Sequence, residues 1–426
     1  KQLVMKDRLN VIKEMMKKGS MIGLLILIGH GLFGQSQLDE YLRIAAEQNP
    51  RLKSKYSLYS ASLERVNQKD ALPDPTVSFG YFISPVETRV GQQRMKFSIS
   101  QMFPWMGTLK TKEAAAASVA RVHFEEFQGD KNELFLKVKT KWLALYELDK
   151  EIEIMEANLS IFRSFEPITK IKYESNLVSM ADLIRVQIQI DDAKTKVDLL
   201  KLKKRPLLSD FNTLLNRDID SEVILDGEIG LIADNYELDS ALVNQPQIKS
   251  LNAQLTALDY ELELVDLNRK PNIGVGLEYG LVNKREDIAV PDNGKDILMP
   301  MISLSLPIFG KKNKSLKKEV GLKQESVKEQ LVAAENDLKN SWTQANYEIE
   351  SASTELALYE KEISKTELLL KVLTTAYSND NSDFEALLAT QQRLLQLELA
   401  VVKANIKYQE ALFAKDYLTT STLNQY

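Results

Sequence analysis

The chain repeats itself. Leu38-Asp39 and Asn49-Pro50 near the start return as Leu238-Asp239 and Gln245-Pro246 near the middle, and from Pro50 to Pro246 the offset is 196 residues (246 − 50). It is again 196 from Pro75, which opens an alternating run at Thr76-Val77, to Pro271, which opens one at Asn272-Ile273 (271 − 75). The offset becomes 203 between Phe103-Pro104-Trp105-Met106-Gly107 and Leu306-Pro307-Ile308-Phe309-Gly310, and 204 between Tyr173, Leu183, Gln187 and Tyr377, Leu387, Gln391. Landmarks in one order at a nearly constant offset mark a duplication. Whatever one half folds into, the other folds into as well.

Each half reads as helix, two strands, long helix, break, helix. The strands are alternating runs: Val77, Phe79, Tyr81 and Ile83 with Ser78 and Gly80 between them, and Ile273, Val275, Leu277 and Tyr279 with Gly274, Gly276 and Glu278 between them. Phe97 and Ile99, and Ile302 and Leu304, continue the pattern with serines between. Period two with one apolar face and one small or polar face predicts half-buried strands. They are expected at 76–84, 95–103, 272–282 and 297–306, with polar loops at Pro85 to Arg94 and Asn283 to Asp296. The remaining mass carries a coiled-coil spacing. Leu145, Leu148, Ile152, Met155, Leu159 and Phe162 recur at alternating steps of three and four, and Leu356, Tyr359, Ile363, Thr366, Leu370, Leu373 and Tyr377 do the same. One helix from Leu109 to Tyr173 would be a rod on the order of 100 Å, at about 1.5 Å per residue.

Composition closes several alternatives. The chain has no cysteine and two histidines, His30 and His123. Thiolate metal sites and cysteine nucleophiles are excluded, and histidine-based chemistry is poorly supplied. No glycine-rich phosphate loop or nucleophile elbow is present. No enzymatic role, cofactor or metal site is expected. The net charge of −5 among 426 residues argues against nucleic acid as a partner.

The segment 1–34 reads as a signal peptide: Lys17-Lys18, then an apolar run from Met21 to Ile28, then small residues through Gly34. That run is too short to span a bilayer as a helix. Beyond it, no segment is apolar enough to do so, so any membrane crossing after export must use a closed β-barrel. Four strands cannot close one, because the smallest membrane barrels need about eight. Three copies pooling their strands would give twelve, which asks for a cyclic oligomer.

With these features the chain resembles the TolC family of outer-membrane efflux proteins, over 35–426. The resemblance is carried by the doubled Asn49-Pro50 and Gln245-Pro246 helix starts and the Pro75 and Pro271 strand starts. The turns from Phe103 to Gly107 and Leu306 to Gly310, the two tip motifs, and the run from Phe211 through Asn212 to Arg217 carry it too. The stretch from Gln101 to Leu109 most resembles the branch that works with heavy-metal pumps. The resemblance implies a mostly α-helical fold with a transmembrane β portion: a homotrimer with a twelve-stranded barrel in outer-membrane lipid and a coiled-coil tunnel in the periplasm. It implies two structural repeats, 35–220 and 221–426, with helical-hairpin tips at about 174–181 and 378–385. The partners implied are a periplasmic adaptor and an inner-membrane pump of the resistance-nodulation-division type. The duct would pass drugs, metal ions or other small molecules. The rival class is a periplasmic coiled-coil adaptor or scaffold without a pore.

Three groups of residues follow. Asp182, with Asp383 or Glu385, would form an acidic ring at the periplasmic mouth, where charged rings select and gate. The second half departs from the family there: Ala386 occupies the position matching the acidic residue. The tips Asn176, Leu177, Val178 and Ser179, and Asp380, Asn381 and Ser382, would face the adaptor. Asn176 and Asp380 stand where the family has glycine, so a left-handed backbone is expected of them. Pro104, Gly107, Pro307 and Gly310 would make the barrel-to-tunnel turns, with glycine allowing the bend.

Overall fold

The computed structural model describes residues 37–225, 236–378 and 384–424. The expected signal peptide and the tip residues Asp380, Asn381, Ser382 and Asp383 lie outside the described residues. The chain runs α1 (Gln37–Gln48), α2 (Pro50–Lys69), β1 (Thr76–Thr88), β2 (Gly91–Phe103), α3 (Thr108–Glu174) and α4 (Met180–Leu214). It then repeats as α5 (Leu238–Asn244), α6 (Pro246–Leu267), β3 (Asn272–Val282), β4 (Ile297–Ser305), α7 (Gly310–Ser378) and α8 (Phe384–Thr419), closing on a 3-10 turn at Thr422–Asn424.

Two rods dominate. Helix α3 has 67 residues and α7 has 69, each on the order of 100 Å at about 1.5 Å per residue. The shorter helices lean on them end to end. Toward the strands the lateral order is α2–α3–α6–α7, and toward the tips it is α4–α3–α8–α7. Helix α3 therefore has neighbours on both flanks along its length, whereas α7 is the outer member of both rows. The coiled-coil positions report this difference. On α3, Leu145, Leu148, Met155, Leu159 and Phe162 are buried and Ile152 is half-buried, while on α7 Leu356 and Tyr377 are buried and Tyr359, Ile363, Thr366, Leu370 and Leu373 are half-buried.

The largest core packs α1 against the middle of α3 and the end of α4. Tyr41, Leu42, Phe135, Leu143, Phe211 and Leu215 fill it, and Tyr41 meets the Phe211 ring edge-on at 5.1 Å. Two recurrent sequence motifs join here. The Asn49 side chain caps α2 by accepting from the N–H groups of Arg51 and Leu52, and its amide donates to Leu214 O at 2.9 Å. Asn212, fully buried, donates to Ile219 O and Ser221 O and accepts from Arg217 Nε. The second half lacks this cap: Gln245 precedes Pro246 but makes no side-chain bond to the helix start. A buried ion pair, Lys139 Nζ to Asp416 Oδ2 at 2.5 Å, pins the end of α8 to α3, and Thr422 bonds both partners.

The four strands form one antiparallel sheet in the order β1-β2-β3-β4. Rows such as Phe79–Phe97–Tyr279–Leu298 and Val77–Ile99–Leu277–Pro300 cross it on one face. Rows such as Ser78–Ser98–Glu278–Met299 and Ser100–Gly276–Met301 cross it on the other. The first hairpin is longer than its alternation suggests. Local composition predicts a polar loop over Pro85–Arg94, yet β1 runs to Thr88 and β2 starts at Gly91. After a register shift between Tyr81 and Val86, residues Val86, Glu87 and Thr88 pair with Gln93, Gln92 and Gly91. Pro85 falls within that irregularity, where no ladder donor is required.

The two turns into the rods differ. Gly107 caps α3 with φ +91°, a conformation that glycine adopts freely. Gly310 is the first residue of α7 and has no positive φ. Replacing Gly107 by Ala should cost about 1–2 kcal/mol, the penalty of a left-handed Cβ. Gly310→Ala, whose Cβ would meet nothing within 4 Å, should cost nothing. Loss of the helical circular-dichroism signal on heating compares the two.

Candidate functional site: a bare sheet face and two helical tips

The sheet has no helix over its apolar face. Val77 is 72% exposed, Phe79 61%, Leu298 63% and Ile302 83%. Phe97, Ile99, Val275, Leu277 and Tyr279 between them are exposed as well. So large a contiguous apolar surface marks contact with a membrane or a partner. Among the described residues, each outer strand, β1 and β4, has one edge with no strand beside it. The junction below is apolar too: Met106, Ile308 and Phe309 are exposed. Among the described residues, no helix is long and apolar enough to cross a membrane, and no group of three His, Asp or Glu side chains is placed to hold a metal ion. His123 is occupied by Glu126, 3.0 Å from Nδ1.

The opposite end of the rods carries the tips. Helix α3 stops in a Schellman motif: Leu177 N–H donates to Lys172 O at 2.9 Å and Asn176 N–H to Tyr173 O at 3.0 Å. Asn176 is left-handed, with φ 57°. Ser179 then starts α4 with a capping box, its hydroxyl accepting from Asp182 N–H while Asp182 Oδ2 accepts from Ser179 N–H at 3.0 Å. The other carboxylate oxygen of Asp182 accepts from Arg185 Nη1 at 3.0 Å. Arg185 also lies 4.0 Å from Glu385. The structure thus brings Asp182 and Glu385 to one guanidinium between the two hairpins. Asp182 has a local duty as helix cap and ion-pair partner, and Glu385 stands largely in solvent.

The two apolar tip residues separate. Val178 packs against the cluster around Phe162, Leu387 and Phe384, stapling the hairpins together. Leu177 is left 51% exposed.

Sequence reasoning passed over the knot beside this tip. Lys172 is buried on α3; its ammonium donates to Tyr377 O at the end of α7 and sits 4.4 Å from the Tyr377 ring centroid. The Tyr377 hydroxyl meets Thr169 Oγ1 at 3.3 Å. Burial raises the Tyr377 phenol above its ordinary value, the Thr169 bond offsets part of this, and the charge on Asp182 adds to the rise. Duplication was the available signal, because Tyr377 is the twin of Tyr173. The twins are used differently: Tyr377 is 4% exposed and Tyr173 is 39%.

This architecture has known counterparts. By sequence, no family model matches the chain and no curated protein does. By structure, the outer-membrane channel OprN superposes with a TM-score of 0.75 at 12% identity, over 90% of this chain and 89% of that one. The CmeC outer-membrane channel of Campylobacter jejuni gives 0.73 at 13%, over 92% and 89%. CusC, described in terms of folding and transmembrane channel formation, gives 0.74 at 12%, over 92% and 95%. The chain has the fold of these outer-membrane channels. In this channel fold the bare sheet face and the tips stand at opposite ends of the helical rods.

The tip geometry sets a measurable test. Asn176→Gly keeps the left-handed turn, whereas Asn176→Val forces a β-branched residue into it at a cost of about 1–2 kcal/mol or more. Hydrogen exchange of the backbone around the end of α3 and the start of α4 should stay slow in the first variant and rise several-fold in the second.

Proposed function

We propose that the chain belongs to the TolC family and is one protomer of a trimeric duct in the outer membrane of a Gram-negative cell. The duct would carry drugs, metal ions or other small molecules outward, without catalysis of its own. The observation that carries this reading is the four-stranded sheet with a bare apolar face and two unpaired edges. In water such a face aggregates, and in lipid such edges are prohibitive. Both problems vanish when sheets pool into a closed barrel, apolar side to lipid and small side to the bore.

The chain carries its own template for the closure. Within it, β2 pairs with β3, while α3 packs on α6 and on α8, so one half joins the other at every level. By the duplication, β4 would meet β1 of the next copy, and α7 would meet α2 and α4 of that copy. The exposed Leu358, Leu368, Leu369 and Val372 on α7, and Ile184, Ile188, Leu199 and Leu202 on α4, suit such a joint. Three copies would supply twelve strands and a periplasmic tunnel. The likeness to OprN, CmeC and CusC supports this arrangement.

The first tip, with Leu177 exposed, and the second, at Asp380, Asn381 and Ser382, would receive a periplasmic adaptor coupled to an inner-membrane pump of the resistance-nodulation-division type. Asp182, Glu385 and Asp383 would draw cations to the mouth, with Arg185 as the counter-charge that tempers them. Pro104 and Pro307 would mark the passage from barrel to tunnel in both halves.

Detergent extraction followed by native mass measurement tests the class. A trimer from the outer-membrane fraction supports the duct, and a soluble periplasmic monomer overturns it. The joint is tested by cross-linking. The pair Ile99–Leu277 maps, through offsets of 203 and 196, onto Ile302 and Tyr81 of adjacent copies. A chain with both Ile302→Cys and Tyr81→Cys should oxidise to covalent dimers and trimers, since facing strand residues lie within disulfide reach. In planar bilayers, Asp182→Ala with Glu385→Ala should reduce cation preference severalfold, and Arg185→Ala should increase it.

A further inference from the structure

The small face of the sheet carries an ion pair. Lys96 Nζ on β2 lies 3.2 Å from Glu278 Oε2 on β3. Lys96 sits in a row between Gly80 and Gly280, so neither neighbouring strand offers a side chain beside it. Its stem lies over Gly80: a Cβ there would come 3.1 Å from Lys96 Cγ and 3.5 Å from its Cε. The stem thus leans over β1, and the ion pair with Glu278 of β3 spans β2. Glu278 in turn faces Ser98 and Met299 across the strands. Side-chain exposures of 43% and 18% leave both charges within reach of solvent. A pair so exposed contributes little to stability. Charges placed there at so little gain in stability call for a reason other than the fold.

Charge on the wall of a bore gives that reason. A low-dielectric channel focuses the field of its lining and enriches ions of opposite sign. Salt damps the field of a charge over about 8 Å at physiological ionic strength, so unpaired wall charges would act on ions passing close to the wall. We propose that Lys96 and Glu278 set the charge preference of the barrel bore: paired, they cancel, and the barrel admits cations and anions alike. In a trimer three pairs stand at one height. Charge selection is then left to the periplasmic mouth. This inference rests on the reading of the small face as the bore.

The absence of cysteine makes a direct test available. Ser98→Cys places one thiol opposite Glu278, and Val77→Cys places one on the apolar face as a control. Outer membranes are treated with a cationic methanethiosulfonate (trimethylammonium-ethyl) and an anionic one (sulfonatoethyl), and the two labelling rates are compared. The ratio cancels any effect of the neighbours on thiolate formation. With Lys96 and Glu278 intact, the ratio for the Ser98→Cys thiol should match that of a small free thiol. Glu278→Gln should shift it toward the anionic reagent by about threefold or more, Lys96→Met should shift it toward the cationic one by a similar factor, and the double variant should restore it. A ratio unchanged in both single variants, with the Ser98→Cys thiol still labelled, overturns the inference and leaves the duct standing. Labelling of Val77→Cys with none of Ser98→Cys means the sheet faces the other way, and both readings fall.

Discussion

Backbone hydrogen bonding at the edges of a four-stranded sheet governs this molecule. A peptide group with no partner is tolerable against water and costs several kcal/mol against hydrocarbon. The chain presents two such edges beside a face too apolar for water. Neither fault can be mended within one protomer, because β1 and β4 are the first and last strands of the row. The same incompleteness runs down the helices: α7 has its inner flank covered by α6 and α8 and its outer flank bare. A neighbouring copy, as proposed, would account together for the open strand edge, the half-buried positions of α7 and the exposed apolar residues of α4.

Much of this was legible in the amino-acid order. The alternation from Val77 and from Ile273 separated the two faces of the sheet correctly, because a period of two leaves no freedom in which face a side chain takes. Leu145, Leu148, Met155, Leu159 and Phe162 are buried along one side of α3, in keeping with their spacing. Asn176 takes the left-handed turn that its place after Tyr173 requires. Other features depend on partners distant in sequence. The extension of β1 past Pro85 is made by pairing with Gln92 and Gln93, and local composition says only that the stretch is polar. Gly310 looks like Gly107 in sequence, yet the chain leaves β4 at an angle that needs no left-handed residue. Leu177 and Val178 are indistinguishable as neighbours at a turn, and only the position of Phe384 and Leu387 decides which is buried.

Charges were the least legible. Asp182 reads as a free carboxylate, but its first obligation is to Ser179 and its second to Arg185. Lys172 looks like a solvated helix residue, and it instead closes the last carbonyls of a helix from the other half. Lys96 and Glu278, separated by most of a repeat, meet only because β2 lies beside β3. For Lys172 and for Lys96 with Glu278 the partner comes from the other half, so spacing along the chain carries no trace of the pair; Asp182 differs, since Ser179 and Arg185 stand three residues to either side of it.

The fusion of two like halves has a kinetic side. Six separate half-units would need five encounters to close the proposed ring, while three doubled chains need two. Every encounter avoided spares the loss of rigid-body freedom, on the order of 4–15 kcal/mol at standard concentration. With an unfinished sheet exposed until the last piece arrives, the covalent link between halves would shorten the interval of greatest danger in the proposed assembly. It also frees the halves to diverge. Tyr173 and Tyr377 stand at equivalent places and differ in burial, so the proposed ring could change shape in thirds where a ring of identical units would have to change in sixths.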